Sequence, residues 1–358
     1  MVRQLIKGCE AIAEAAIRGG CRYFFGYPIT PQNDIPEYMS ARLPEVGGVF
    51  LQAESEVAAS NMVYGAAGAG ARVMTSSSSP GISLKQEGIS TIAGGELPCV
   101  IINVMRGGPG IGGIQASQGD YFQATKGGGH GDYRLIVFGP ASIQETVNIM
   151  YDAFDIAEKY RNPVMILADG LIGQMMEPVE MPEFKPDEAI QTDKPWAALG
   201  WEEGCGKPRA VINSLYINDG ELEALHERLQ GRYREIEKNE VRYETYLTED
   251  ADIVLVAYGT ISRVCRSAVD ELRAEGIKVG LFRPISLWPF PSAPLAEVAK
   301  QDCVKDFLAV EISAGQMVED VRLAVNGAKP VDFLGHPGSQ IATVEEIMDR
   351  VRSLAKEG

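Results

Sequence analysis

Long apolar runs are missing from this chain of 358 residues; none approaches the ~18 residues of a membrane-spanning helix. The amphipathic start, MVRQLIKGCEAIAEAA, has neither the apolar core nor the cleavage site of a signal peptide, so a cytoplasmic protein is expected. Positive charge is also scarce. Lys and Arg number 33 against 49 Asp and Glu, a net charge of -16, which repels phosphate backbones and anionic lipid surfaces and sets nucleic-acid and membrane binding aside. His130, His226 and His336 are isolated, without H-x-x-x-H or H-E-x-x-H spacing. Cys9, Cys21, Cys99, Cys205, Cys265 and Cys303 include no C-x-x-C pair for zinc or an iron–sulfur cluster and read as small hydrophobes of a reducing compartment. No metal site is expected on this chain alone.

What the chain has is periodicity. From residue 4 to about 175, amphipathic stretches alternate with short apolar runs, the signature of a parallel sheet covered by helices. A helix is expected over 4–18, with Leu5, Ile6, Cys9, Ile12 and Ala16 on its apolar side and a stop at Gly19-Gly20. Strands are expected at 23–25, 49–51, 73–75, 100–104, 135–138 and 164–167. The glycine-dense segment 107–131 is too long for an ordinary loop, a length that in a compact domain usually serves function. Residues 176–250 read as a Pro-rich, charged linker followed by one amphipathic helix bearing Leu222, Leu225, Leu229, Tyr233 and Ile236. A second α/β unit occupies 251–358, without a cluster of catalytic residue types, so packing or assembly is its expected role.

Three groups could carry chemistry. The first is Gly26-Tyr27-Pro28-Ile29-Thr30-Pro31, where a strand ends: Thr30 could simply cap a helix with Pro31 at its first position, or its hydroxyl could bind a small anion at the strand's C-terminal end. The second is Glu54-Ser55-Glu56 opening a helix of small residues; an acid there can be no more than a favourable dipole partner, or it can face a ligand. The third is Arg106 and the glycines after it. Residues 108–113 satisfy G-x-G-x-x-G after a strand, but Pro109 lies inside the turn and more glycine-rich loop follows where a helix should start, which argues against a dinucleotide site. A lone guanidinium at a strand end suits a carboxylate substrate or a solvated surface. Gln118, Asp120, His130 and Asp132 of the same loop receive no role.

YPITP at 27–31, SEVAAS at 55–60, TSSSSPG at 75–81, VMRGGPG at 104–110 and SQGDYFQATKGGGHGDY at 117–133 together resemble the alpha subunits of thiamine-diphosphate-dependent 2-oxoacid:ferredoxin oxidoreductases. NSLY, VRYE, VAYGT, KVGLFRPISLWPFP and the segment 311–320 extend the resemblance over nearly the whole chain. It implies an α/β pyrimidine-type domain over 1–175, a linker and long helix over 176–250, and a smaller α/β domain like the transketolase C-terminal one over 251–358. It implies that Glu56 is catalytic, hydrogen-bonding the pyrimidine ring of thiamine diphosphate, with Pro28 and Ile29 also at the cofactor, and that Thr30 and Arg106 bind the 2-oxoacid carboxylate. A beta subunit would hold the diphosphate and Mg2+, coenzyme A would accept the acyl group, and [4Fe-4S] clusters on partner chains would pass electrons to an external ferredoxin. Gamma and ferredoxin-like delta subunits complete the expected assembly. With a charge of -16, this chain is not expected to dock an acidic ferredoxin itself.

The resemblance is strongest to the branched-chain, 2-oxoisovalerate type, with 2-oxoglutarate and pyruvate enzymes as alternatives. Residues 107–119 contain no basic side chain to pair with a distal carboxylate, which favours an apolar substrate side chain. Gln32 and Asn33 replace a small pair found after YPITP in relatives, so a pocket of different size is expected. A non-catalytic scaffold, or a dinucleotide-binding protein using 108–113, is the reading from a different class.

Overall fold

The computed structural model describes residues 3–190, 193–206, 208–338 and 340–357. Gln191, Thr192 and Lys207 of the expected linker lie outside the described residues.

The first half runs β1 (Gln4–Lys7), α1 (Gly8–Arg18), β2 (Tyr23–Gly26), α2 (Asp34–Glu45), β3 (Val49–Gln52), α3 (Glu56–Gly68), β4 (Val73–Ser77) and α4 (Ser79–Gly94). It continues with β5 (Val100–Met105), α5 (Tyr121–Thr125), β6 (Ile136–Phe138), α6 (Ile143–Tyr160), β7 (Val164–Asp169), α7 (Gly170–Gln174) and β8 (Met176–Val179). Every residue of β4, β5 and β7 is buried, as expected where helices cover both faces of a parallel sheet and the strands become continuous apolar runs. Helix α6 shows why local sequence fixes the crossovers. Ser142 Oγ accepts from Glu145 N at 3.1 Å while the Glu145 carboxylate accepts from Ala141 N at 2.7 Å, so free amides at the helix start are satisfied from both directions.

The second half comprises α8 (Glu221–Asn239), β9 (Tyr243–Tyr246), β10 (Ile253–Val256), α9 (Ile261–Ala274), β11 (Val279–Pro284), β12 (Ser286–Trp288), α10 (Ser292–Ala299), β13 (Asp306–Glu311), α11 (Met317–Val325), β14 (Val331–Gly335) and α12 (Val344–Glu357). A five-stranded sheet has the order β14-β13-β10-β11-β9, and a seven-stranded sheet the order β12-β6-β7-β5-β4-β2-β3. Strand β12 therefore crosses back to pair antiparallel with β6 at the edge of the first sheet. One apolar cluster runs through both halves, joining Val137, Met165 and Tyr121 to Val254, Tyr258, Phe282 and Leu287.

The structure departs from the sequence expectations at three places. Residues 4–7 are not the start of a helix; they form β1, paired antiparallel with β8, because cross-strand pairing supplies their backbone partners and only Ile6 turns inward. Leu222 is exposed, whereas Leu225, Leu229, Tyr233 and Ile236 of α8 pack onto the first domain. Glycine-rich 107–131 is interrupted by the short helix α5 and tied to the second half through the Gln316 side chain and the Ile312 backbone.

Candidate active site

The order β4-β2-β3 places a reversal of the winding direction beside β2. In an open α/β sheet the crevice at such a reversal, outside the carboxyl ends of the strands, is where ligands bind. Four neighbouring strands deliver the site here: β2 leads to Pro28, Ile29 and Thr30, β3 to Glu56, β4 to the serine run, and β5 to Arg106.

Glu56 is the first residue of α3, after Ser55, whose Oγ accepts from Ala58 N at 3.1 Å. The cap and the helix dipole favour an acid here, but its surroundings are not those of a solvated helix start. The residue is 6% exposed, and among the described residues no donor is hydrogen-bonded to its carboxylate. Gly81, in the first turn of α4, leaves the carboxylate uncovered: a Cβ there would lie 2.7 Å from Glu56 Oε1 and overlap Ser77 Oγ. Among the described residues the hydroxyls of Ser77 and Ser78 are buried without a hydrogen-bond partner. A buried acid and two idle hydroxyls are costly unless a ligand uses them.

Beneath this turn lies Lys85, 0% exposed and not singled out from sequence. Its Nζ donates to Thr75 Oγ1 at 3.0 Å and lies 3.5 Å from the Glu56 carbonyl oxygen. Burial pulls its ammonium down from 10.5 to about 8, against the opposing pull of the Glu56 charge. Lysine on a helix of small residues reads as a solvated face, and nothing local in the sequence signals otherwise.

Arg106 meets Thr30 directly. Its Nη1 donates to the Thr30 carbonyl at 2.8 Å and its Nη2 to the Ile111 carbonyl at 3.0 Å, while Nε is buried without a partner. Ser79, two residues before Gly81, joins the two parts of the site: its Oγ accepts from Arg106 N at 3.0 Å and donates to Asp120 Oδ2 at 2.6 Å. Asn103 also donates to that carboxylate, at 2.9 Å. Burial holds the Asp120 carboxyl above its usual range, partly offset by these two donors. Asp120 is thus a scaffold for the strand ends. Gln118 is fully buried against the second half, and His130 and Asp132 line a separate surface cavity of about 420 Å³ with Tyr216 and His226.

One local reading is corrected. Thr30 caps no helix: α2 begins at Asp34, because Gln32 N bonds to Ile29 O at 3.1 Å and the buried Gln32 side chain ties the turn to Tyr27 O and Ser76. Thr30 is left exposed on the crevice while Gln32 points into the protein and Asn33 out to solvent.

Among the described residues, no three His, Cys, Asp or Glu side chains gather to hold a metal ion, and no helix is long and apolar enough to cross a membrane. Buried carboxylate, uncovered flank and idle hydroxyls fit the aminopyrimidine end of thiamine diphosphate, a ring with nitrogens on its edge and an apolar face. They offer nothing for its diphosphate.

Residues 14–211 match the family described as "Pyruvate flavodoxin/ferredoxin oxidoreductase, thiamine diP-bdg" and residues 251–347 that described as "Pyruvate:ferredoxin oxidoreductase core domain II". The chain is 50% identical over 357 residues to ketoisovalerate oxidoreductase subunit VorB of Methanothermobacter marburgensis, covering 100% of this chain and 99% of that one. It is 35% identical to 2-oxoglutarate synthase subunit KorA of Methanothermobacter thermautotrophicus, covering 97% of each. Among solved structures it resembles the 2-oxoglutarate:ferredoxin oxidoreductase from Magnetococcus marinus with 2-oxoglutarate, coenzyme A and succinyl-CoA bound, at a TM-score of 0.84 and 27% identity. That likeness covers 98% of this chain and 65% of the other. A split-gene transketolase shares the fold at a TM-score of 0.61 and 18% identity over 97% of each chain.

Proposed function

The chain belongs to the thiamine-diphosphate-dependent 2-oxoacid:ferredoxin oxidoreductases as an alpha subunit, and from that premise we propose that it supplies half of an active site acting on 2-oxoisovalerate or a similarly branched 2-oxoacid. The family reaction is oxidative decarboxylation of a 2-oxoacid with reduction of ferredoxin, and relatives are named as subunits of larger enzymes. The observation that carries the site assignment is the buried Glu56 carboxylate, which among the described residues has no donor of its own at the crevice between β2, β3 and β4.

Glu56 is the catalytic residue on this reading: it holds a proton against a ring nitrogen of the cofactor, in a site dry enough for that hydrogen bond to be strong. Pro28 and Ile29 flank the ring. Thiamine diphosphate, when bound, supplies the nucleophilic carbon and the electron sink for decarboxylation. Arg106 holds the substrate carboxylate, and the Thr30 hydroxyl at the rim adds a second donor. The strand-end segments 26–34, 52–57, 77–81 and 105–119 contain Arg106 as their one basic residue, enough for one carboxylate and not for a second. That count, with the 50% identity to a ketoisovalerate subunit against 35% to a 2-oxoglutarate one, favours the branched acid.

The remaining parts are assigned to other chains. A beta subunit holds diphosphate and Mg2+, and [4Fe-4S] clusters on partners take the electron pair to an external ferredoxin. Coenzyme A accepts the acyl group, and gamma and ferredoxin-like delta subunits complete a cytoplasmic complex. Within this chain the pyrimidine-type domain is taken as 1–175 and the C-terminal domain as 251–358. The test is ferredoxin or viologen reduction by the complete complex with 2-oxoisovalerate, 2-oxoglutarate and pyruvate, for wild type and Glu56→Gln. Glu56→Gln is expected to assemble normally and lose at least about 100-fold in kcat, the usual scale for a lost proton-transfer group. Retained activity would remove Glu56 from the mechanism, and a tenfold preference for 2-oxoglutarate would overturn the substrate assignment.

A further inference from the structure

The C-terminal domain, read from sequence as packing or assembly, reaches the substrate-binding loop. Residues 107–115 form a closed excursion whose neck is the antiparallel bridge between Arg106 and Ala116, reinforced by Gly107 N to Gln115 O at 3.1 Å. One limb of the neck is held from within the first domain, where Arg106 N donates to Ser79 Oγ at 3.0 Å. The other limb is held by the second domain. Gln118 N donates to Ile312 O at 2.7 Å and its Oε1 accepts from Ile312 N at 2.9 Å, a reciprocal pair of the kind that joins two strands. Its Nε2 donates to Tyr258 O at 2.8 Å.

A second clasp follows one step along the chain. Gln316, just before α11, donates from Nε2 to Gly119 O at 2.7 Å and accepts from Phe122 N at 2.7 Å, bracketing the turn into α5. Tyr121 Oη donates to Asp320 Oδ2 at 2.5 Å, and Lys126 pairs with the same carboxylate. The clasp itself is anchored: the Glu311 carboxylate accepts from the backbone amides of Gln316, Met317 and Val318 and from Ser313 Oγ at 2.8–3.3 Å, fixing the turn that presents Gln316. The base of the loop is also flanked by this domain, since a Cβ on Gly107 would lie 3.2 Å from Gly338 O. The tip beyond the neck is exposed, Ile111 to 84%, and is tied back within the loop by Arg106 Nη2 to Ile111 O at 3.0 Å and Gly113 N to Gly107 O at 2.9 Å.

We infer that Gln118 and Gln316 are positioning residues through which the C-terminal domain fixes the neck of the loop and thereby aims Arg106 at the substrate carboxylate. The inference rests on the assignment of that carboxylate to Arg106. The first domain holds the same segment through Asp120, bonded to Ser79 and Asn103, while Gln118 N, Gly119 O and Phe122 N find their partners across the domain boundary. With the clasp loosened, the guanidinium keeps its charge and loses its register, and displacement on the scale of an ångström is enough to cost binding of an oriented substrate.

The experiment compares wild type, Gln316→Ala, Gln316→Glu and Arg106→Gln in the complete complex. Gln316 is only half-buried, so its replacement should leave the fold intact. Gln316→Ala is expected to raise the KM for the 2-oxoacid about tenfold with kcat changed less, the signature of binding lost equally in ground and transition states, while the KM for coenzyme A is unchanged. Gln316→Glu keeps the acceptor for Phe122 N and should recover part of the loss. Hydrogen exchange of residues 106–126 should quicken in Gln316→Ala, the Phe122 amide included, and nowhere else in the first domain. If Arg106→Gln leaves the 2-oxoacid KM unchanged, the carboxylate assignment fails. If Arg106→Gln raises it and Gln316→Ala alters neither KM nor exchange, or quickens exchange without moving KM, the positioning role is overturned.

Discussion

Lys85 shows how a single residue can be decisive in the structure and silent in the sequence. A fully buried ammonium whose hydrogen-bond partners are a hydroxyl and a carbonyl is a burden on the folded state, since desolvation is not repaid by a directly paired carboxylate. With its pKa lowered from 10.5 to about 8, the folded chain binds fewer protons than the unfolded one between those values. Stability therefore rises with pH through that window, and below about pH 8 the penalty is fully present, on the order of 3 kcal/mol by linkage. Replacing Lys85 with Met removes the titration. Thermal melts of the full chain across this range should show wild type gaining on Lys85→Met as pH climbs from about 8 to about 10. Parallel curves for the two proteins would mean that folding does not lower the Lys85 pKa, so that the ammonium stays charged through the whole window. Glu56, Thr30 and Arg106 stood out as candidates because acids, hydroxyls and cations at strand ends are where α/β sheets bind ligands, although only the combined motifs, not the single residues, suggested roles for them. Lys85 sits mid-helix, where lysine is ordinarily solvated.

Elements built from continuous apolar runs were also legible: β4, β5 and β7 announce themselves because both faces are covered. Strands β1, β8, β9 and β12 were not, each being four residues or fewer and lying at a sheet edge or in the separate two-stranded pair, where the partner decides the conformation more than propensity does. Between these extremes lies the pair α3 and α4, whose small residues were visible as a pattern but not as a mechanism. Gly81 faces Glu56, Gly88 faces Ser60 and Gly95 faces Tyr64, so one glycine seam sets the approach of the two helices that frame the crevice. Gly81→Ala and Gly88→Ala should both destabilise, by about 1–3 kcal/mol, because each new methyl overlaps a serine hydroxyl. Only Gly81→Ala crowds the Glu56 carboxylate, so it alone is expected to weaken thiamine diphosphate binding by the complete complex, about tenfold or more, when titrated below both melting temperatures. Equal affinities in the two variants would show that the space beside Glu56 is not used by the cofactor.

At the scale of the molecule, the linear order of the sequence suggests two units joined by an arm, and the sheets do not respect that order. Strand β12 belongs by sequence to the second unit and by pairing to the first, and Trp288 at its end packs edge-on against Tyr233 of α8, ring centroids 5.4 Å apart. Asp169, at the end of β7, accepts from Thr260 N at 3.2 Å as well as from two amides at the start of α7. Long-range pairing of this kind leaves no local trace, which is why the boundary near residue 250 is easy to draw on the sequence. A fragment ending there would lose β12 from the edge beside β6 and one wall of the cluster containing Tyr121, Val137 and Met165. It would also lose every clasp on the substrate loop. Each exposed large apolar side chain costs roughly 1.5–3 kcal/mol, and a domain has only about 5–15 kcal/mol in reserve. Residues 1–250 expressed alone are therefore expected to aggregate or to retain helical circular dichroism without a cooperative melt, the behaviour of a chain with collapsed but unspecific packing. A monodisperse fragment with a sharp thermal transition would show instead that the first sheet closes without β12, and that the two halves are partners in function only.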